Sequence, residues 1–525
     1  MDICTPARGS LMTGRYAVRL GMQYSVITAG APWGLPLTEK IMPEYMNDAG
    51  YESHMVGKWH LGSYNDESLP SRRGFKTFMG YLNGEEYFYS HKVPPNLTPE
   101  AEYKGENFYD FGFGNETDYY DLTKTNHGVA CSGATMKKDD EGGREYLAIL
   151  EQENPADACY TDTYSTDAFL GRARQIVKNK TPFDEEPLFL YVAHQSVHSP
   201  VGPAPGAGFT ADELALLDDV AARTTTEMRV QFAGVLLYLD KRIGEFVEML
   251  ETEGWMDNSI IVVASDNGGC PSAGGSNYPL RGTKQSMFEG GTKVPAFVWS
   301  RSHISEELWG TTYDKLMHVT DWVPTLASAT GSSFTGSAGP LDGIDHWDSL
   351  MSLEVDSDSS EGPRTEMLYN WNPYVLSSSS GGPAIENLKL TQGAFREGKW
   401  KLLTNVWCSG YYSSDALISD PLLDPEVICP ESRQCEDCCN CCFEDPEYLL
   451  SDRLFDLESD PREAHDVLAE YPEIADRLRR RAHEVVFSEW TPSKYLPTNT
   501  DIYTVWATNG WWMVPWVDKL LPDRS

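Results

Sequence analysis

Two short apolar runs joined through one long amphipathic segment constrain the fold of this chain more than any other feature. Leu188-Phe189-Leu190-Tyr191-Val192-Ala193 follows Pro187 and is continuous in β-formers, the pattern of a buried strand. Ile260-Ile261-Val262-Val263-Ala264 is a second and stronger case. Between them, residues 226–253 place Val230, Ala233, Leu236, Leu237, Ile243, Phe246, Val247 and Leu250 at helical spacing and stop at Gly254. A strand, a long helix and another apolar strand predict an α/β fold: a mostly parallel central sheet, buried on both faces and flanked by helices. Further helices are expected over 38–49, ending at Gly50, and from Thr320-Asp321, with Asp321 as cap and Pro324 in the first turn.

The chain has 525 residues, a length that favours two or more domains. Composition shifts to Ser, Gly and Asp between Gly331 and Gly362, and the boundary is expected near 352–363. That division predicts a catalytic α/β domain over 1–351 and a smaller C-terminal α+β domain over 352–525. In the latter, 394–403 reads as a hairpin, 453–457 as a short strand and 472–486 as an amphipathic helix.

Forty-two basic residues face 79 acidic ones, a formal charge of -37. This balance argues against a nucleic-acid partner, which needs a basic face, and an anionic substrate would need positive charge concentrated locally. No run of about 18 apolar residues occurs, so no membrane span is expected. The tail bearing Trp506, Trp511, Trp512 and Trp516 is broken by Asn509, Gly510, Pro515 and Asp518 and reads as a packed terminal segment. Sequons stand at Asn96, Asn115 and Asn179. With Cys4 set aside, ten cysteines remain, an even number suited to disulfides in an oxidising compartment. The dense cluster Cys429, Cys435, Cys438, Cys439, Cys441 and Cys442 also has spacing usable by a soft metal, though no second separated pair or His follows; disulfides are the favoured reading.

The residues that carry chemistry begin at Cys4-Thr5-Pro6-Ala7-Arg8, continued by Gly9-Ser10-Leu11-Met12-Thr13-Gly14-Arg15-Tyr16. Ligands of open α/β sheets sit beyond the carboxyl ends of the strands. There the second apolar run leads into Ser265-Asp266-Asn267-Gly268-Gly269, a carboxylate and an amide oxygen suited to a hard cation, or simply a turn. The first leads into His194-Gln195-Ser196-Val197-His198, where one histidine is a candidate general acid and a core or solvated histidine is the alternative. Lys58 and His60 are two apart, on one side of an extended backbone, and Arg281 and Lys284 add positive charge in a Gly-rich stretch.

The C-x-P-x-R pattern with its Thr-Gly-Arg-Tyr tail resembles the signature of the sulfatase family, in the alkaline phosphatase-like superfamily. Together with Lys58-Trp59-His60-Leu61-Gly62, Arg72-Arg73-Gly74-Phe75, Asp266-Asn267-Gly268-Gly269, Pro279-Leu280-Arg281-Gly282 and Lys399-Trp400-Lys401-Leu402-Leu403, it is similar to the arylsulfatases, most of all those of the N-acetylgalactosamine-4-sulfatase (arylsulfatase B) type. The resemblance implies hydrolysis of a sulfuric ester on a sulfated sugar, polysaccharide or aryl group. It implies that Cys4 is oxidised by a formylglycine-generating enzyme to an aldehyde whose hydrate attacks sulfur, and that Arg8 stabilises that hydrate. Lys58 and Lys284 would hold sulfate oxygens, His198 would protonate the leaving alcohol and His60 would take a proton from the hydrate. Asp266 and Asn267, with the modified Cys4, would bind one Ca2+, with Mg2+ as the alternative. A secretory route, lysosomal or extracellular, is implied too.

One departure stands out. The family's other metal ligands are a pair of aspartates on an initial strand upstream of the motif, and here Met1-Asp2-Ile3 runs straight into it. The expectation is a chain begun at an internal Met, without leader or first strand, that binds metal weakly and turns over poorly. Two other classes are carried: an inactive, anion-binding sulfatase-like protein, and a phosphate or phosphonate ester hydrolase of the same fold, against which Cys4 speaks.

Overall fold

Glycine at position 57 decides how the larger sheet is built. Its φ is +100° and a Cβ there would stand 1.9 Å from the carbonyl oxygen of Ala193, so only glycine lets the two strands close up. Those strands are β1 (Glu52–Lys58) and β5 (Leu188–Ala193), which run parallel with Gly57 opposite Ala193. On its other side β1 pairs in parallel with β2 (Thr77–Tyr81). The antiparallel strands β3 (Gly112–Gly114) and β4 (Tyr119–Asp121) complete the order β4-β3-β2-β1-β5.

This is a computed structural model. It describes residues 2–94, 110–115, 119–121, 163–205, 209–224, 226–332, 339–351, 362–372, 375–376, 383–384, 392–406, 451–494, 506 and 515–517. The chain forms two units, Met1–Val26 with Ile260–Tyr495, and Ile27–Ser259 with Leu496–Ser525.

In the second of these, the parallel-sheet unit, helix Ser165–Lys178 buries Ala168, Phe169 and Ile176 against Val56, Met79, Tyr81, Phe111 and Phe113. Complete burial of a side chain such as Phe169 contributes about 1.5–3 kcal/mol. The long helix is Glu227–Thr252, and its Tyr238 hydroxyl donates to both carboxylate oxygens of Asp167, at 3.0 and 2.9 Å. Part of the Trp-rich tail is packed as expected: Trp506 and Trp516 are buried, and the backbone N–H groups of Trp516 and Val517 donate to the Tyr64 carbonyl.

The antiparallel-sheet unit begins with helix α1 (Cys4–Thr13). Strands β6 (Ile261–Ala264) and β7 (Ala296–Trp299) pair antiparallel. Strands β8 (Glu366–Asn372), β11 (Gln392–Glu397), β12 (Trp400–Thr404) and β13 (Arg453–Asp456) form an antiparallel sheet in the order β13-β12-β11-β8. A short ribbon, β9 (Val375–Leu376) with β10 (Pro383–Ala384), lies between β8 and β11 in the sequence. Helix Pro472–Ser488 covers the sheet through Ala475, Leu478, Ala482 and Val486, which meet Leu368, Trp371, Phe395, Leu402 and Leu454. The expected hairpin, strand and late helix are all present.

Three local expectations change. The two apolar runs do not share a sheet among the described residues: β5 is the edge of the five-stranded sheet, and β6 pairs with β7. Apolar continuity marks a strand but not its partner, and here β5 is only partly buried while Val263 on β6 is 40% exposed. The helix expected over 38–49 is the shorter Met42–Asp48, because Pro43 has no N–H to donate and belongs in a first turn. Asp321 precedes helix Trp322–Ala329 without capping it. Its buried carboxylate instead accepts from the backbone N–H of His318 (2.7 Å) and Ile344 (2.8 Å) and pairs with Arg364 and His346. No helix among the described residues is long and apolar enough to cross a membrane.

Although burial opposes ionisation, His346 and Arg364 hold the Asp321 carboxyl well below the usual range, so the pair is charged throughout the neutral range. Asp321→Ala would leave the buried Arg364 guanidinium uncompensated and is expected to lower unfolding free energy by about 3–5 kcal/mol. Urea denaturation checks this, and a loss below about 1 kcal/mol would show the network to be dispensable.

Candidate active site

Five of the eight candidate side chains, Cys4, Arg8, Asp266, Asn267 and Lys284, lie in the antiparallel-sheet unit; Lys58, His60 and His198 lie in the parallel-sheet unit.

In the antiparallel-sheet unit the motif folds as the opening of α1. Pro6 sits in the first turn, where its missing N–H costs nothing, and Gly14 closes the helix with φ +68° and an N–H donated to Ser10. Cys4 is the first helical residue, 2% exposed and outside any disulfide. Arg8 follows one turn later on the same face, and its Nε and Nη2 donate to Asp266 Oδ2 at 3.1 and 3.0 Å. Asp266 stands just beyond the end of β6.

The loop after β6 is braced by a residue that sequence reasoning missed. Asn277 accepts from the Gly269 N–H (2.7 Å) and donates to the carbonyls of Gly269 (2.9 Å) and Gly282 (3.1 Å). The backbone N–H of Lys284 donates to the Gly269 carbonyl at 3.0 Å, and that of Gln285 to the Asp2 carbonyl at 2.7 Å. Gln285 has φ +72°, a left-handed conformation unusual for a side chain of its size. These bonds tie the stretch bearing Lys284 both to the Asp266 loop and to the residues just before Cys4. Arg281 is not an anion clamp here. It is buried over the Phe288 ring and donates to the Glu463 carbonyl at 2.8 Å.

The same unit holds a buried charge knot that the sequence barely signals. Lys401 on β12, 0% exposed, reaches Glu289 at 2.8 Å and Glu463 at 2.9 Å, and the Tyr369 hydroxyl donates to Glu289 at 2.7 Å. Although burial opposes it, Lys401 holds the Glu289 carboxyl down to about 2, while burial pushes Glu463 up to about 7. A lysine at a fully buried strand position, as in Lys399-Trp400-Lys401, was the one available hint, legible only once the strand's inward face is known.

The fit to a hard cation is partial. Asn267 donates through Nδ2 to Gly268, but its buried Oδ1 has no hydrogen-bond partner, which suits a ligand oxygen. Against that, Asp266 Oδ2 is engaged by Arg8, and no group of three or more His, Cys, Asp or Glu among the described residues could hold an ion. Calcium takes six to eight oxygens, so these residues do not make a complete calcium site. Calorimetric titration of this chain with Ca2+ is expected to show a dissociation constant no tighter than about 0.1 mM; nanomolar binding would contradict it.

In the parallel-sheet unit, Lys58 closes β1 and is 1% exposed. Pairing with β2 and the residue after it continues past Lys58, with Trp59 N–H donating to the Tyr81 carbonyl and His60 N–H to the Leu82 carbonyl. His60 has φ +57°, so it leaves the extended backbone and the alternation that would have put it on the side of Lys58 no longer decides its direction. Its Nε2 lies 3.0 Å from the Ile27 carbonyl, which can only accept; Nε2 therefore carries the proton and Nδ1 is the basic nitrogen. Gly84 packs on this ring, where a Cβ would come within 3.0 Å of Cε1.

His194 and His198 follow β5 and separate by environment. Burial pushes His194 down to about 4, which keeps it neutral. Gln195 anchors the turn by donating to the Glu86 carbonyl and accepting from Ser165 Oγ at 2.6 Å. His198 is partly exposed, with Nδ1 2.8 Å from the Ser199 carbonyl and 3.5 Å from Glu85 Oε2. Glu85, Gln195 and Ser199 were not candidates; Asn83-Gly84-Glu85-Glu86 reads as an ordinary polar loop, and nothing local marks its reach. The cysteine cluster and Asn96 lie outside the described residues; Cys270 is disulfide-bonded, and Asn179 is exposed at a helix end.

A helix-borne C-x-P-x-R cysteine, an Asp-Asn-Gly-Gly loop after a strand and basic side chains at strand ends define a class, and comparison bears it out. The Sulfatase family model matches residues 2–332, and the chain belongs to the sulfatase family. It is 33% identical to mouse arylsulfatase J over 488 residues, covering 91% of this chain and 67% of that protein. Against human N-acetylgalactosamine-6-sulfatase it is 26% identical, covering 58% of this chain and 49% of that one. The chain thus spans about half to two thirds of the length of such relatives. Among solved structures, Ps i-CgsB in complex with k-i-k-neocarrahexaose matches with a TM-score of 0.64 at 20% identity, covering 99% of this chain and 89% of that chain. PsFucS1 sulfatase from Pseudoalteromonas matches with a TM-score of 0.56 at 19% identity, covering 95% and 83%. These structural likenesses carry the fold.

Glu463 yields a pH prediction. Below about pH 4.5 it is protonated in folded and unfolded chains alike; between about 4.5 and 7 only the folded chain keeps the proton, so stability falls as pH rises through that window. Glu463→Gln is expected to flatten this slope, read as a smaller difference between urea midpoints at about pH 5 and 7.5 than in the parent. An unchanged difference would show that Glu463 titrates normally.

Proposed function

We propose that this chain is a sulfuric ester hydrolase of the arylsulfatase type, acting on a sulfated sugar or aryl ester. The observation that supports it most is the first turn of α1, where a buried Cys4 outside any disulfide stands one turn before an Arg8 bound to Asp266. Membership of the family and the names of the relatives support the same reading.

Sulfatases as a family use formylglycine and a divalent metal. Converted to formylglycine, Cys4 supplies an aldehyde hydrate with one hydroxyl to attack sulfur and a second to expel sulfate. The start of α1 favours the negative charge that develops there. Lys58 and Lys284 bind sulfate oxygens and offset charge in the transition state. His198 passes a proton from Nε2 to the leaving alcohol oxygen, and His60 accepts a proton at Nδ1 from the remaining hydroxyl. Arg8 orients Asp266. Asp266 and Asn267 are the share of a cation site carried by the described residues. The same reading carries a catalytic domain over 1–351, a C-terminal domain over 352–525, maturation by a formylglycine-generating enzyme and a lysosomal or extracellular destination.

The test is co-expression with a formylglycine-generating enzyme, followed by mass spectrometry of the Cys4 peptide and assays on aryl sulfate and aryl phosphate. An aldehyde at Cys4, preference for the sulfate ester and a loss of at least about 1000-fold in Cys4→Ala are expected. Phosphate turnover that survives Cys4→Ala would instead identify a phosphohydrolase. Sulfate binding without turnover would identify the anion-binding protein.

A further inference from the structure

The loop after β2 reaches both candidate histidines of the parallel-sheet unit. Gly84 lies against the His60 ring, and the next residue, Glu85, lies beside His198. We propose that Glu85 is a positioning residue for His198, holding its ring orientation and its positive charge. This rests on the reading of His198 as the proton donor.

Nδ1 is the ring nitrogen of His198 that faces Glu85. The Ser199 carbonyl, 2.8 Å from Nδ1, can only accept, so Nδ1 carries a proton in every state of the ring, and the proton that leaves during reaction is the one on Nε2. Glu85 Oε2 stands 3.5 Å from the same Nδ1, too far for a good hydrogen bond but close enough for a strong field. Its carboxylate does not wander, since Ser199 Oγ donates to Oε2 at 3.0 Å and the side chain is 15% exposed. Ser199 therefore ties ring and carboxylate together, the carbonyl taking one and the hydroxyl the other.

A carboxylate at this distance favours imidazolium over imidazole. Two titratable groups stand close by in the sequence, His194 and Glu86. Burial keeps His194 neutral, and burial together with Asp110 raises Glu86, beside Glu85 in the chain and 3.0 Å from His91 Nδ1, well above its ordinary value. The pairing also answers an objection on charge. A lone carboxylate here would repel a sulfate ester, whereas one paired with imidazolium presents little net charge and leaves Nε2 protonated.

The test compares the parent with Glu85→Gln, which keeps the shape and can still accept from Ser199 Oγ. Nitrogen-15 NMR reads the His198 titration directly, and the pH profile of aryl sulfate hydrolysis reads its use. In Glu85→Gln the His198 pKa is expected to fall by about one pH unit, with the basic limb of kcat moving down equally and KM changing less than about twofold. Glu85→Asp should recover part of the shift. Ser199→Ala, which removes only the tethering hydroxyl, should give a smaller shift in the same direction and serves if Glu85→Gln does not fold. An unchanged His198 titration in these variants overturns the proposal. A shifted titration with an unmoved kcat limb upholds the pairing and instead defeats the assignment of His198 as proton donor.

Discussion

Lys401 has no access to water, and that constraint organises the antiparallel-sheet unit. A buried ammonium is tolerable only with carboxylates in contact, and Glu289 and Glu463 supply them from 112 residues before it and from beyond β13. The requirement reaches further than charge. Glu289 N–H donates to Glu463 at 2.6 Å, Gly290 N–H to the Arg281 carbonyl at 2.6 Å and Gly268 N–H to the Gly291 carbonyl at 2.9 Å. The loop bearing Asp266 and the stretch bearing Lys284 are thus fastened to the same ionic knot. Removing either carboxylate disturbs backbone that lies under the candidate site, not just a side-chain contact.

The parallel-sheet unit solves a different problem. Its histidines stand just past the carboxyl ends of β1 and β5, where strand geometry has ended and direction must come from elsewhere. Carbonyl oxygens do much of this work. Ile27 selects the His60 tautomer and Ser199 that of His198, so each ring is left with a defined nitrogen for proton exchange. The close approach of Gly84 and the left-handed backbone of His60 keep the His60 ring from taking other rotamers without displacing main chain.

Much of the architecture was legible locally. The hairpin at Gly398, the strand at Arg453–Asp456, the helix Pro472–Ser488 and the strand Leu188–Ala193 all follow from periodicity, turn residues and β-formers within a few positions. What failed was pairing and polar partnership. Asp321 reads as a helix cap because of its place before Trp322, yet Arg364, 43 residues on, competes for the same carboxylate and wins through charge. Similarly Arg281 reads as a ligand for an anion because it is basic and near Asp266. A carbonyl 182 residues away, at Glu463, takes its guanidinium instead.

By itself the amino-acid order determined the reactive inventory: a Cys4 with its Arg8 one helical turn on, an Asp-Asn pair at a strand end, and lysines and histidines in short motifs. Those are local facts, set by covalent spacing and backbone preference. Only the tertiary structure decided which of them are charged, which nitrogen of each histidine carries a proton, and that Glu85 stands beside His198. Protonation and orientation depend on desolvation and on groups within a few ångströms, and those neighbours come from segments that the linear order keeps far apart.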